Sequence, residues 1–333
     1  MVKITYLLGA GASCNSLPMV EDFPERIDKL NDELWYRMQG EYGAKNISTD
    51  DILWPRGKYA QALMNQIKWL GKESTRHASI DTYAKKLFIR NDKEAIDLLH
   101  LLKATLSCYI LIEQSLREAD KRYDSFFASL LRNEPGQLPS LPKEVNIVTW
   151  NYDTQLEKSY REFCQDPSFV YEGITRKRNI IRLNGACGVP FDESKQEKNL
   201  CYEHFSLSFL ESVLKLYDNL LRKAEGYRPY ISFAWERREP DTRILETIKG
   251  TTTLVIIGYS LPYFNRDIDK IIFETMAPSL EKIFIQAPAA DHPALEERFL
   301  TCFADQSVKQ TISSAIEMIE GTDLFYIPDN MPR

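Results

Sequence analysis

A glycine turn near the start of the chain is the first segment whose residues suit a chemical task. Residues 3–8 are mostly apolar and run directly into Gly9-Ala10-Gly11-Ala12-Ser13. The two glycines allow a tight turn and close approach of a ligand, and amides at the start of a following helix favour negative charge. The turn therefore predicts a site for the phosphates of a nucleotide.

Polar turns also follow three later apolar segments, predicted as strands at 145–149, 180–183 and 254–257. These turns contain Asn151 with Asp153, Asn184 with Gly185, and Gly258 with Tyr259 and Ser260. Open parallel sheets bind ligands at the carboxyl ends of their strands. The four turns are therefore expected to meet at one edge of a sheet.

The elements that hold these turns alternate between strand and helix. Further strands are predicted at 230–233 and 282–285, and helices at 20–38, 207–223 and 267–276, with others ending near 163 and 248. Residues 53–131 read as helical throughout, and a cluster of breakers at 133–142 follows. The pattern predicts an α/β fold: a Rossmann-like, doubly wound, mainly parallel sheet with a helical insertion.

The expected organisation is a single domain over residues 1–333. Residues 1–52 and 140–333 would form its Rossmann-like core, and residues 53–139 its helical insertion. The apolar stretch 95–116 is interrupted by Asp97, His100 and Lys103. Since a membrane-spanning helix needs about 20 predominantly apolar residues, a buried core helix is predicted there.

Four segments resemble motifs of the sirtuin (SIR2-like) superfamily, in the same order along the chain. They are the glycine turn with Leu17-Pro18, Thr149-Trp150-Asn151-Tyr152-Asp153, residues 229–236 and Gly258-Tyr259-Ser260-Leu261. The second segment has the form typical of bacterial SIR2-like NAD hydrolases. The resemblance covers most of the chain and implies that NAD binds along these turns, with Pro18, Thr149 and Trp150 among its contacts.

By this resemblance Asn151 is the main catalytic residue and Asp153 holds the nicotinamide carboxamide. An amide beside the reacting ribosyl carbon can position nicotinamide or the incoming water. The alternative is that Asn151 caps the helix that begins near Asp153, a position that asparagine suits.

One position departs from the family pattern. Related enzymes have a histidine before the glycine at the end of a middle strand, where this chain has Asn184 before Gly185. A neutral amide cannot accept a proton at neutral pH. Either Asn184 only orients the ribose hydroxyls, or another residue supplies the base, or catalysis is lost. Of the four histidines, His77 is the preferred candidate for the base, on position alone.

Composition narrows the remaining classes of function. The net charge of −6 gives no global positive field for nucleic acid or an anionic membrane, and neither partner is expected. Six scattered cysteines form no Cys-x-x-Cys pair, so neither a zinc site nor a disulfide framework is indicated. The start of the chain lacks the pattern of a signal peptide, and a cytoplasmic location is expected.

The expected function is hydrolysis of NAD, as substrate, to nicotinamide and ADP-ribose without a metal. The resemblance further implies antiphage defence by NAD depletion, a homo-oligomer, and activation by a protein or nucleotide trigger. Two alternatives remain open. The chain could be a catalytically silent sensor or assembly module that binds NAD or ADP-ribose, or an NAD-dependent deacylase, which the missing zinc cysteines disfavour.

Overall fold

The computed structural model describes residues 2–19, 22–42, 57–133, 139–163, 179–188, 200, 204–237 and 239–331. In this part of the chain one sheet contains six strands: β1 (Ile4–Leu8), β2 (Val145–Thr149), β3 (Ile180–Arg182), β4 (Thr253–Ile257), β5 (Lys282–Gln286) and β6 (Ile316–Ile319). All neighbouring strands are parallel, in the order β3-β2-β1-β4-β5-β6. This is the order of a Rossmann-like doubly wound sheet, and the predicted fold class is confirmed.

Helices connect the strands and flank the sheet. They are α1 (Phe23–Tyr42), α2 (Gly57–Arg76), α3 (Ile80–Arg90), α4 (Lys93–Ser115), α5 (Lys121–Leu130), α6 (Gln155–Phe163), α7 (Leu207–Leu221), α8 (Thr242–Ile248), α9 (Arg266–Met276), α10 (His292–Leu300) and α11 (Gln306–Ser314). Side-chain caps fix several starts: Ser79 accepts from an amide of α3, Asp92 from one of α4, and Asp120 from one of α5.

Alternate residues of each strand face opposite layers of helices. Tyr6 and Leu8 pack with Tyr123, Phe126 and Phe127 of α5 and with residues of α6. Leu7 faces the other way, into a cluster that contains the apolar residues of α8, α9, α10 and α11. Because a central parallel strand is covered on both faces, its sequence is an almost unbroken apolar run, which is why these strands could be predicted.

A third apolar cluster lies mainly among helices. It joins buried residues of α1, α2, α3, α4 and α7, including Leu30, Ile67, Leu102 and Val213. Helix α4 is long and apolar enough to cross a membrane, but thirteen of its residues are buried in this protein. Helix α5 lies inside the segment predicted as insertion, yet it packs on the sheet. The division of the chain at residues 53 and 139 stays a prediction.

One sequence expectation about strands is wrong, and one strand was not predicted. Residues 230–233 belong to no strand, and Ile231 and Phe233 pack into the helical cluster rather than against the sheet. Strand β6 was not expected, because it is only four residues long and its residues are no more than half-buried. The bounds of the other strands agree with the prediction to within one residue. Other sequence expectations concern residues that lie outside the described part of the chain: 20, 21, 53–56, 134–138 and 176–178.

Candidate functional site

The turns predicted to converge do meet at the carboxyl edge of the sheet. The Gly9 amide donates to the Ile257 carbonyl at 3.0 Å, and the Gly11 amide to the Gly258 carbonyl at 2.9 Å. On the other side of β1, the Trp150 amide donates to the Leu8 carbonyl at 3.0 Å. The crossing from β1 to β4 is also where the chain switches from one half of the sheet to the other, the position at which such sheets bind ligands.

The glycines of this edge are required by contact between two loops. A Cβ atom at Gly9 would lie 2.5 Å from the Cα of Tyr259, and one at Gly11 would lie 2.8 Å from the Cα of Gly258. Gly258 itself has φ 59°, and its Cβ would meet the Ala12 nitrogen at 2.4 Å. These three glycines therefore let the 9–13 and 258–260 loops pack backbone to backbone. Close approach of a pyrophosphate to Gly9 or Gly11 stays a prediction.

Arg122 of α5 binds backbone carbonyls of the glycine turn. Its Nη2 donates to the Gly11 carbonyl at 3.0 Å and to the Ala12 carbonyl at 3.2 Å. The same nitrogen forms an ion pair with Asp120 at 2.6 Å, and both side chains are buried. Asp120 also caps α5 and accepts from the Asn15 amide at 3.3 Å. One buried pair thus fixes the turn from Gly11 to Asn15.

Asn151 contacts the glycine turn directly. Its Nδ2 donates to the Ser13 hydroxyl at 3.4 Å, and the Ser13 hydroxyl also contacts the Tyr123 hydroxyl at 3.2 Å. The Asp153 carboxylate accepts from the Gln155 amide at 3.0 Å, at the start of α6. Asp153, and not Asn151, therefore makes the bond to the helix start, so the capping interpretation of Asn151 is wrong.

Burial and charge act on Asp153 in opposite directions. Burial is the largest effect and, with the negative charge of Glu157, raises its pKa above the ordinary value. The Gln155 backbone amide, the positive charge of Arg182 and a hydrogen bond from Ser13 lower it and offset part of this rise. Arg182 is itself paired with the buried Glu157 and donates to the Asn151 carbonyl at 2.9 Å. Arg182 of β3, held by Glu157 of α6, thereby fixes the backbone of Asn151.

Thr149 and Trp150 contact protein groups around the turn at 149–153. The Thr149 hydroxyl accepts from the Asn151 amide at 3.0 Å. Trp150 is buried, and its ring stacks on that of Tyr259 with centroids 6.0 Å apart. Both residues were predicted as nucleotide contacts, and in this structure their side chains bind neighbouring protein groups.

Asn184 forms a second polar centre with Tyr152. Its Nδ2 donates to the Tyr152 hydroxyl at 3.5 Å, and that hydroxyl donates to the Ser232 carbonyl at 3.3 Å. Its Oδ1 is buried and has no hydrogen-bond partner among the described residues. Gly185 has φ 75°, and its Cβ would lie 1.8 Å from the Tyr230 carbonyl, so residues 229–236 pack directly on this turn.

The remaining predicted residues lie further out. Ala10 and Ser260 are exposed. Pro18 lines a cavity of about 300 Å³ with Cys14 and Arg26. His77 follows the end of α2, where its ring lies 3.9 Å from Glu73 and 4.8 Å from the ring centre of Tyr83. Within the described ranges no hydrogen bond or ring contact joins His77 to Asn151, Asp153 or Asn184.

Asp269 is a buried carboxyl that lies beneath the 258–260 loop. It accepts from the Tyr259 hydroxyl at 2.7 Å, and Asn265 donates to that hydroxyl at 2.9 Å. Burial raises the pKa of Asp269 to about 8. Asp267 and Asp269 both occupy the first turn of α9, but only Asp267 is exposed.

Several contacts of the site could not be predicted from the sequence. Arg122, Tyr123 and Tyr152 are separated from their partners by 30 to more than 100 positions, and no local motif marks them. The sequence Asp120-x-Arg122 predicts a helix cap, and Asp120 does cap α5. Nothing in that sequence indicates that the pair also supports a distant loop. In the described part of the chain, no group of three or more His, Cys, Asp or Glu side chains could hold a metal ion.

No protein-family model matches the chain, and no curated protein sequence matches it. The resemblance to the sirtuin superfamily therefore rests on the four segments themselves.

Replacing Arg122 with alanine should destabilise the protein by about 3–5 kcal/mol, because it leaves the Asp120 carboxylate buried without a counter-charge. Urea unfolding measures this. Arg243→Ala is the matched control, since Asp241 and Arg243 repeat the same cap and spacing at an exposed position. Equal effects of the two substitutions would contradict the proposed support of the glycine turn.

Replacing Asp269 with asparagine should change how stability depends on pH. The pKa of Asp269 is about 8 in the folded protein, against the ordinary value of 3.8 for an exposed aspartate. Asp269 therefore binds its proton more tightly in the folded protein than in the unfolded chain. The wild type should therefore lose stability relative to Asp269→Asn as the pH rises from about 4 to about 8, by at most about 1.4 kcal/mol per unit.

Urea unfolding at pH 5 and pH 8 tests this, with the exposed Asp267→Asn as control. Parallel pH dependences for the wild type and Asp269→Asn would show that Asp269 does not carry a raised pKa.

Proposed function

We propose that this chain binds NAD across the carboxyl edge of the sheet and hydrolyses the bond between its nicotinamide and ribose. The observation that carries the proposal is the contact of Asn151 with Ser13 of the glycine turn. It joins the strongest candidate for catalysis to the strongest candidate for phosphate binding, at the switch point of a Rossmann-like sheet.

The polar groups at this edge suit a dinucleotide. Asn184 carries a buried oxygen with no partner among the described residues, which is costly unless a ligand or water donates to it. A ribose hydroxyl is such a donor. Ala10 and Ser260 are exposed, whereas Asn151 and Asn184 are buried. The phosphates and adenosine would lie near the exposed loops and the glycosidic end near the buried amides.

The roles of the residues follow from their contacts. Asn151 would orient the nicotinamide end of NAD with its side-chain amide. Ser13 accepts a hydrogen bond from that amide, and Arg182 donates to the backbone carbonyl of Asn151, so both hold the residue in place. Asp153 would hold the nicotinamide carboxamide, and its neighbours Gln155 and Ser13 fix its orientation. Asn184 would bind ribose hydroxyls. Cleavage itself needs a group that accepts a proton from water, and neither asparagine can do so.

The sirtuin-like segments extend the proposal to biology. Hydrolysis would deplete NAD in antiphage defence, in a homo-oligomer that a protein or nucleotide trigger activates. These parts rest on the resemblance alone.

A second function is favoured by one observation. Asn184 occupies the position of the family histidine, and the contacts of His77 lie at the end of α2 and the start of α3. A site without a base would bind NAD or ADP-ribose without cleaving it, as a sensor or assembly module.

Asn151→Ala should reduce nicotinamide release from NAD at least about 100-fold, because the reacting end loses its positioning amide. Chromatographic assay of nicotinamide measures this, and calorimetry with ADP-ribose measures binding. Asn330→Ala is the control, since Asn330 bonds Thr253 at the amino end of β4, the opposite edge of the sheet. Wild-type protein that binds ADP-ribose but releases no nicotinamide would support the sensor instead.

A further inference from the structure

Three polar side chains meet at the buried hydroxyl of Ser13. The Ser13 Oγ lies 3.4 Å from the Asn151 Nδ2 and 3.2 Å from the Tyr123 hydroxyl. It also forms a hydrogen bond with the Asp153 carboxylate. A hydroxyl has one proton to donate and two lone pairs that accept. These three partners therefore use the whole hydrogen-bonding capacity of Ser13.

The chemistry of the three partners fixes the direction of each hydrogen bond. A carboxylate accepts, so the single Ser13 proton goes to Asp153. An amide nitrogen only donates, so the Asn151 Nδ2 donates to Ser13. The second lone pair of Ser13 is left for the Tyr123 hydroxyl, which donates to it. Burial raises the pKa of Tyr123, so its hydroxyl keeps this proton at neutral pH.

These hydrogen bonds decide which end of the Asn151 side chain is available to a ligand. The Nδ2 is held at the glycine turn, whereas the Oδ1 makes no hydrogen bond within the described part of the chain. The two ends of an amide have nearly the same shape, so its hydrogen bonds choose between the two orientations. Without the Tyr123 hydroxyl, Ser13 would have a free lone pair and could rotate, and the Asn151 amide could turn over.

The position of Tyr123 is itself fixed by its neighbours. It lies in α5 directly after Arg122, whose Nη2 donates to the Gly11 and Ala12 carbonyls. Its ring packs edge-on against Phe325, with centroids 5.0 Å apart. Two consecutive residues of one helix thus hold the backbone of the glycine turn and the hydroxyl that follows it.

We propose that Tyr123 is a positioning residue for Asn151. Through Ser13, its hydroxyl holds the Asn151 amide nitrogen at the glycine turn and leaves the amide oxygen for the substrate. This inference rests on the proposed NAD hydrolysis. It adds to that proposal a residue outside the four sirtuin-like segments, which acts on the reaction without touching NAD.

Tyr123→Phe should lower kcat for nicotinamide release about 10-fold or more, because the amide stays in the site but is no longer held in one orientation. The KM for NAD and the affinity for ADP-ribose should change less than about threefold. Tyr6→Phe is the matched control and should keep wild-type kcat. Tyr6 is buried in the same apolar cluster and packs edge-on against Phe126, but its hydroxyl has no hydrogen-bond partner among the described residues.

A double-mutant cycle tests whether Tyr123 acts through Ser13. Ser13→Ala removes the hydroxyl that joins Tyr123 to Asn151, so it should lower kcat at least as much as Tyr123→Phe. Adding Tyr123→Phe to Ser13→Ala should then change kcat less than about twofold. A tyrosine that only supports the fold would lower kcat by the same factor in both backgrounds.

NMR of the Asn151 side chain gives a readout that does not depend on turnover. In protein labelled with nitrogen-15, the side-chain amide signals that Asn151→Ala removes belong to this residue. These signals should shift in Tyr123→Phe, since the hydrogen bond that the amide donates to Ser13 changes. They should stay in place in Tyr6→Phe.

The possible failures are distinguishable. Wild-type kcat in Tyr123→Phe, independent effects in the double-mutant cycle, or unshifted Asn151 signals would each overturn the positioning role while the hydrolase stands. A wild-type protein that binds ADP-ribose but releases no nicotinamide overturns the proposed function, and the role of Tyr123 in catalysis with it.

Discussion

The site depends on the backbone contact between the loop after β1 and the loop after β4. Gly9 and Gly11 lie against Gly258 and Tyr259 so closely that no Cβ fits between them, and the Gly11 amide donates to the Gly258 carbonyl. This contact joins the two halves of the sheet at their switch point. Asn151 is placed relative to it through its contact with Ser13, and Trp150 through the stacking of its ring on that of Tyr259.

Buried ion pairs on neighbouring elements keep these loops in position. Asp120 and Arg122 hold the carbonyls of the glycine turn, and Glu157 and Arg182 hold the carbonyl of Asn151. Buried pairs contribute little net stability compared with apolar residues, but they fix the groups that they contact. Their arginines lie outside the four sirtuin-like segments, and they support the backbone of two of those segments. The helical cluster then covers the Tyr152 and Asn184 end of the edge.

The strands and the convergence of the turns could be predicted, because central parallel strands are apolar runs and their carboxyl ends share one edge. Residues 230–233 show the limit of this reasoning, since their apolar residues pack on helices and not on the sheet. Local sequence also could not separate the roles of Asn151 and Asp153, since the partner of Asn151 is 138 positions away. The same holds for Arg122, whose sequence signature is that of an ordinary helix cap.

The central claim is that the turns at 9–13, 149–153, 184–185 and 258–260 form one dinucleotide site. A crystal structure of Asn151→Ala soaked with NAD tests it most directly, because that variant is expected to bind NAD while cleaving it slowly. The account predicts a dinucleotide that lies across the ends of β1 and β4, with its nicotinamide ribose beside Asn184. A dinucleotide bound on another face of the sheet, or turned so that its adenine lies at residues 151 and 184, would contradict the account.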